Sequence, residues 1–312
     1  MKPKSLLVIG GTGFFGKSIL KYLSNNSLLN IKINKIFILS RGKLELGIYN
    51  KKIKKKLRII KINSNMLTIK SLPKADYVIY AAILKNYKND HLAVKNYLNL
   101  AEKYHLNSKI IYISSGAVYG QQPISVKRIK ENYLLRNKRL DFYNYNKNIY
   151  SITKLKNEEI FKKLGNIGIK VSIARCFAFV GKHLPRDSNF VVGNFIKNIL
   201  NKEKIEVKSA HKVIRSYMHE DDLVVWLFKI LKKANINCPI YNVGSDQEVN
   251  IRKLALYLSN KYKLPIKLKK IKSNFEDRYL PSLHKSKKEL NLKLKYSNYR
   301  AINQVINGLK NN

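Results

Sequence analysis

The feature that most constrains this chain lies at its start. Ser5-Leu6-Leu7-Val8-Ile9 is a short apolar run, too short for a helix and right for a buried strand. It runs directly into Gly10-Gly11-Thr12-Gly13-Phe14-Phe15-Gly16, after which Ile19, Leu20 and Leu23 recur at helical spacing. The order is strand, glycine turn, helix. In that setting one glycine allows the tight turn, one lets backbone N–H groups approach a pyrophosphate, and one lets helix and strand pack closely. The helix N-terminus then faces the phosphates with its partial positive charge. Gly10, Thr12, Gly13, Phe14, Phe15 and Gly16 are the candidate contacts to a dinucleotide. The competing reading is an ordinary glycine-rich turn.

A chain of 312 residues can bury a large core, in one large domain or two lobes. Its apolar share of 45% fits a globular protein. The formal charge of +43 invites a nucleic-acid reading. The excess is spread along the chain, however, and Ile, Asn and Tyr are abundant together with Lys, the joint bias of an AT-rich coding sequence. No specific nucleic-acid partner is expected; a basic surface still attracts anionic small molecules. The densest run, Lys51 to Lys56, reads as a solvated loop or edge. Cys176 and Cys238 are far apart and lack metal-ligand spacing, which favours a reducing compartment with neither disulfide nor zinc. The N-terminal run superficially resembles a signal peptide, but glycines break it at once and no small-residue cleavage site follows, so it reads as a core strand. No stretch reaches the length of a membrane span. The expectation is a cytoplasmic protein with no membrane partner.

Ile33 to Leu39 reads as a second strand ending in Ser40-Arg41. At this position an acidic residue hydrogen-bonds the 2′-hydroxyl of NAD, whereas an Arg suits the 2′-phosphate of NADP. No Asp or Glu is present, so Arg41 favours NADP, with NAD the alternative. Leu57 to Ile62 is a third strand, followed by Asn63, Ser64 and Asn65, any of which can meet an adenine. Asp76 to Ala82 is a fourth strand ending in Ala81 and Ala82, small enough for a cofactor to lie close, with Lys85 in reach of ribose or phosphate. His91 to Tyr104 has helical periodicity. Ser108 to Ser114 is a fifth strand, apolar enough for a parallel sheet covered on both faces. Strands alternating with helices imply βαβ units and an α/β, Rossmann-type doubly wound sheet.

The fifth strand leads into Ser114-Ser115-Gly116-Ala117-Val118-Tyr119-Gly120. Farther on, Tyr150 and Lys154 stand four apart in a segment of helical apolar spacing, so they share one face. A free tyrosine, with pKa near 10, is a poor acid–base catalyst at neutral pH. An ammonium beside it, and a cationic nicotinamide nearby, are expected to lower that pKa. The hydroxyl of Ser115 can bind the same substrate oxygen. A Tyr-x-x-x-Lys pair alone is common in a chain with 20 Tyr; its weight comes from following the glycine turn and the Ser-Ser strand end in this order.

With these motifs in place the chain resembles an extended short-chain dehydrogenase/reductase, the group containing nucleotide-sugar epimerases, 4,6-dehydratases and ketoreductases. The resemblance covers nearly the whole length. Gly10, Gly13 and Gly16 match its G-x-x-G-x-x-G turn, Ser115 its catalytic Ser/Thr, Tyr150 and Lys154 its catalytic pair, and Lys85 a cofactor-ribose lysine. Asn96 matches an Asn on the helix before the Ser strand. The resemblance implies that Asn194, Arg215 and Arg278 contact the nucleotide diphosphate of a nucleotide-sugar, and that His219, Asp221 and Asp222 are mostly structural. It also implies a homodimer. In the dehydratases an Asp-Glu pair follows the catalytic Ser/Thr; here Gly116 and Ala117 stand there, which argues against dehydration by that route. Ala178 replaces an Asn found in many members. The expected organisation is a dinucleotide-binding domain over residues 1–180, with 215–245 returning to it, and a smaller, mainly substrate-binding lobe within 181–312. The expected activity is NAD(P)-dependent reduction of a nucleotide-linked keto sugar, with 4-epimerisation the alternative, then 4,6-dehydration or non-catalytic dinucleotide binding.

Overall fold

The computed structural model describes residues 4–25, 31–41, 49, 51–61, 66–133, 145–186 and 190–311. Asn63, Ser64 and Asn65 lie outside the described residues. Two compact units emerge. The first comprises 1–118, 142–176 and 224–241; the second comprises 119–141, 177–223 and 242–312.

The first unit is built on strands β1 (Lys4–Ile9), β2 (Ile33–Ser40), β3 (Leu57–Lys61), β4 (Tyr77–Tyr80), β5 (Lys109–Ser115) and β6 (Lys170–Cys176). With Ile240–Val243 at one edge they form a seven-stranded parallel sheet. From the other edge the order is β3-β2-β1-β4-β5-β6. The chain reverses its winding between β1 and β4, and in open α/β sheets ligands bind in the crevice outside such a switch point. Leu6, Leu7, Val8, Val78, Ile79, Ile110 and Ile111 are fully buried, as a parallel sheet covered on both faces requires.

Helices α1 (Phe14–Asn25), α2 (Lys51–Lys56), α3 (Tyr87–Tyr104) and α4 (Tyr145–Asn166) belong to this unit. The lysine-rich run 51–56, expected as a loop or edge, is the short helix α2. Ile53 is its anchor, only 2% exposed, while Lys54 and Lys55 face solvent. One buried side chain per turn is enough to pin a helix whose intrinsic stability is marginal. Helix α3 begins four residues earlier than its apolar periodicity indicates, because Asn86 caps it by accepting from the Asn89 N–H at 3.0 Å. Helices α3 and α4 pack on each other around an aromatic cluster. The Tyr112 ring stacks on Phe161 at 4.3 Å, and Tyr80 meets Tyr97 at 5.0 Å.

In the second unit the central element is a three-stranded sheet of Lys212–Arg215 flanked by Val249–Asn250 and Glu276–Arg278. Helix Ile251–Tyr262 lies beside it, started by an Asn250 side chain that accepts from the Arg252 and Lys253 N–H groups. No helix among the described residues is long and apolar enough to cross a membrane.

Candidate active site

The glycine turn adopts the geometry its sequence implies. Gly10 has φ +90°, and a Cβ there would meet the backbone of Ala81 and Ala82 at 2.6–2.8 Å. Only glycine combines this dihedral with that approach. The Gly13 N–H donates to Gly10 O at 3.1 Å, closing the turn. A Cβ on Gly16 would strike the backbone of Gly11, so the helix sits against the turn at a distance that excludes any side chain. Gly13, by contrast, is exposed, and a Cβ there would meet only Gly10 O, at 3.4 Å. The space above it is open for close backbone approach. Helix α1 has no acidic residue in its first turn, so nothing local neutralises its positive end. Glycines, helix end and switch point together form a cradle that fits the pyrophosphate of a dinucleotide.

The other cofactor-side candidates follow the carboxyl ends of β1, β2 and β4. Ala81 continues from β4, its N–H donating to Ile9 O at 2.8 Å. Ala81 and Ala82 are partly buried and Lys85 is exposed. Thr12 hydrogen-bonds Ser40 at 2.5 Å, fixing the turn to the end of β2. Arg41 follows immediately and is exposed. The Phe14 and Phe15 rings meet edge to face at 5.5 Å.

Ser115, Tyr150 and Lys154 come together. Ser115 ends β5, and its hydroxyl also accepts from the Ala117 N–H at 3.1 Å. The Tyr150 phenol stands near the Ser115 hydroxyl. Lys154, 5% exposed, donates to Ile113 O at 3.2 Å and stands 5.0 Å over the Tyr112 ring. What sets this register is one turn farther along α4. Glu158 is fully buried. It takes two donors from Arg175 on β6, at 3.0 and 2.7 Å, and the Ser114 hydroxyl at 2.5 Å. A single carboxylate thus fastens α4 to the ends of both strands beside Ser115, which pairs with Cys176 across the sheet.

The electrostatics differ from the sequence expectation at one point. Lys154 was expected to lower the Tyr150 pKa. Burial is the larger influence and holds it above its ordinary value, with the Ser115 hydroxyl pulling the other way. The phenol keeps its proton. Burial pulls the Lys154 pKa down, but its neighbours, Tyr112 and Asp90 foremost, outweigh it and raise the pKa.

Asp90, Asn157 and Glu158 were not singled out from sequence. For Asn157 and Glu158 the helical period of α4 marks the face, on which positions 150, 154, 157, 158 and 161 fall together, but not the partners. Asn96 does not join this group. Its amide donates to Met66 O and Ile69 O, at 2.7 and 3.1 Å, and so holds the segment after β3.

In the second unit the candidate phosphate ligands have acidic neighbours. Arg215 pairs with Asp277 at 2.6 Å and also donates to the Asp277 carbonyl at 2.9 Å. Arg278 pairs with Glu248 at 3.0 Å and with Glu276. Asn194 is exposed on the helix Val191–Leu200. His219 and Asp222 are buried, and Asp222 accepts from the Lys295 and Tyr296 N–H groups, as structural residues do.

Comparison with known proteins agrees with this geometry. The family model described as NAD dependent epimerase/dehydratase family matches residues 6–244. The dTDP-D-glucose 4,6-dehydratase of Dictyostelium discoideum is 26% identical over 277 residues, 82% of this chain, which spans only 62% of that protein's length. UDP-glucuronic acid decarboxylase 3 of Arabidopsis thaliana is 24% identical over 304 residues, 91% of this chain and 83% of that one. Among solved structures, dTDP-glucose 4,6-dehydratase from Bacillus anthracis in complex with NAD has a TM-score of 0.79 at 17% identity, covering 99% of this chain and 97% of that one. UDP-N-acetylglucosamine 4-epimerase from Methanobrevibacter ruminantium gives 0.76 at 19%, covering 100% and 99%. At these identities the structures speak for the fold. The family match over three quarters of the length carries the classification: the chain belongs to the NAD dependent epimerase/dehydratase family.

Proposed function

We propose that this protein reduces the keto carbon of a nucleotide-linked 4-keto sugar, with NADPH preferred over NADH. The observation that carries the reading is the Tyr150 phenol near the Ser115 hydroxyl, on the helix that carries a buried, charged Lys154. When bound, the dinucleotide supplies hydride to the substrate carbon. Tyr150 gives its phenolic proton to the carbonyl oxygen as that carbon is reduced, and Ser115 hydrogen-bonds the same oxygen. Lys154 favours the phenolate left behind. A phenol held in its protonated form by burial suits a proton donor. Gly116 and Ala117 offer no group to protonate a leaving hydroxyl or to abstract a proton, which separates this site from the dehydratase route. Arg41 supports the choice of NADPH, Lys85 is assigned to the cofactor, and Asn194, Arg215 and Arg278 to the diphosphate of the sugar donor.

The second reading is 4-epimerisation. The same Ser115, Tyr150 and Lys154 suffice to take hydride out and return it to the other face, and no further acid or base is required. One experiment separates them. The protein is incubated with NADPH or NADH and a panel of nucleotide-4-keto sugars while reduced-nicotinamide absorbance is followed. Steady loss supports the reductase; interconversion of nucleotide-sugars without net cofactor consumption supports the epimerase. Arg41→Asp is expected to shift preference toward NADH, and an unchanged ratio refutes the role given to Arg41.

A further inference from the structure

The amino ends of the first strands close around a cavity of about 400 Å³, a size that small-molecule pockets share. Lys35 lines it from the start of β2, Lys55 from α2, Arg58 from β3 and Lys74 from the segment before β4. All four are exposed. Among the described residues none of them has an acidic partner. The one carboxylate in the wall, Asp76, is already engaged. It accepts from Lys4 Nζ at 2.7 Å and from the Ser5 N–H and hydroxyl, each at 2.8 Å. Two further bonds shape the walls. Lys56 Nζ donates to Ile33 O at 2.5 Å, which holds the end of α2 to the start of β2. Arg58 gives one guanidinium N–H to Leu57 O at 3.0 Å and keeps further donors for a ligand. Strand β1 runs between this cavity and the glycine turn, about 13 Å of extended chain from Ser5 to Ile9 at roughly 3.3 Å per residue. The cavity is therefore separate from the cofactor cradle.

An abundance of lysine spreads cations over this whole chain, but it does not explain four of them around one concavity whose only acid is taken. Like charges gathered in a cleft repel one another, and low-dielectric walls focus their field. The fold itself leaves that repulsion uncompensated. We propose that the cavity is a second anion site, which takes a ligand carrying two or three linked phosphates. A single phosphate or carboxylate would leave most of the four cations unanswered. Arg58 supplies a planar fork for two oxygens of one phosphate, and the lysines act as point charges on the others. The same edge of the sheet offers a contrast. Lys109 and Lys170 stand opposite each other at the starts of β5 and β6. Burial, then the charges of Lys170, Lys232 and Lys233, hold the Lys109 pKa below its ordinary value. That group is also densely basic, yet it forms no part of the cavity wall.

The test is calorimetric binding of inorganic triphosphate, and of a nucleoside triphosphate, to the full chain and to two double variants of equal charge. Arg58→Gln with Lys74→Gln strips the cavity. Lys170→Gln with Lys233→Gln strips the neighbouring basic group. Both leave the glycine cradle intact, so phosphate bound there contributes alike to all three proteins. The cavity variant is expected to bind inorganic triphosphate about tenfold or more weakly, because it loses direct charge-assisted contacts. The control is expected to lose less than about threefold, because salt screens charges that do not touch the ligand. Equal losses in the two variants would mean that the anion reads net charge alone, and would overturn the site. So would a parent protein that binds neither ligand at low salt. Equal affinities for the two ligands identify the phosphates as the part bound; a tighter nucleotide assigns its base to Phe37, the aromatic ring of the cavity wall. If Arg58→Gln with Lys74→Gln does not fold, Lys35→Gln with Lys55→Gln is read in the same way. No turnover enters the measurement, so a protein inactive toward every keto sugar leaves this site standing.

Discussion

The two compact units hold their functional cations in opposite ways. In the first, Lys154 is buried and its ammonium is held by Ile113 O and the Tyr112 ring. In the second, the Arg215 side chain is 21% exposed and its Asp277 partner 29% exposed. A buried ammonium cannot leave without giving up its partners in a poorly solvated site. A half-exposed ion pair is worth only about 0–1 kcal/mol and exchanges readily. Arg278 is intermediate: its side chain is 12% exposed and it answers two carboxylates, Glu248 and Glu276. Its own acids hold it more tightly than Asp277 holds Arg215. The sequence treats the two arginines alike, whereas the structure pairs Arg215 with one carboxylate, Asp277, and Arg278 with two. On the proposed function, the chemical group is set in advance and the binding group changes partner.

Tyr150→Phe tests the first half of this contrast most severely. It removes one oxygen and leaves the ring. On the proposed mechanism kcat falls by roughly 10²–10⁴-fold, with KM for the nucleotide-sugar nearly constant. Full activity in the phenylalanine variant would mean that the Ser115 contact is incidental. Glu158→Ala probes what sets the register. It leaves Arg175 buried without the carboxylate that takes its donors, so unfolding in urea is expected to show a loss of about 3–5 kcal/mol. A loss well below that range would mean that α4 is held by its apolar face alone.

How much of this was legible in the sequence follows from where each constraint originates. The strand–turn–helix at residues 5–23 could be read directly because glycine's backbone freedom and the apolar period are local properties. Ser115, Tyr150 and Lys154 could be read because their order along the chain repeats a family pattern. Asp90 could not. An aspartate on a lysine-rich amphipathic helix looks like solvent-facing charge, and only the packing of α3 on α4 turns it inward. Glu158 was hidden for the same reason: its partners, Ser114 and Arg175, come from two other elements. The upward shift at Tyr150 was missed because burial is a tertiary quantity, whereas the nearby lysine is visible in the sequence. Arg215 and Arg278 were placed by resemblance, but their acidic partners depend on how Lys212–Arg215 pairs with Glu276–Arg278.

Arg215→Ala addresses the second unit. A charge-assisted hydrogen bond is worth about 1.5–3 kcal/mol, so binding of the free nucleoside diphosphate, followed by calorimetry, is expected to weaken by roughly one to two orders of magnitude. The same change at Arg278 is expected to do less, because Glu248 and Glu276 already engage that guanidinium. Equal losses would erase the distinction between the two arginines.

Asp277→Asn gives the smallest effect and the finest test. The amide keeps the size and one acceptor oxygen of the carboxylate but drops its charge. If Asp277 occupies Arg215 until a diphosphate displaces it, removing the charge removes that competition, and the nucleoside diphosphate binds more tightly. The gain is bounded by the worth of a half-exposed pair, at most about 1 kcal/mol, or roughly fivefold. Salt screens such pairs, so the difference between Asp277→Asn and the parent protein should shrink as ionic strength rises. Weaker binding in the variant would mean that Asp277 orients Arg215 toward the phosphates. The exchange picture would then fail for this unit, and both units would set their cations in advance.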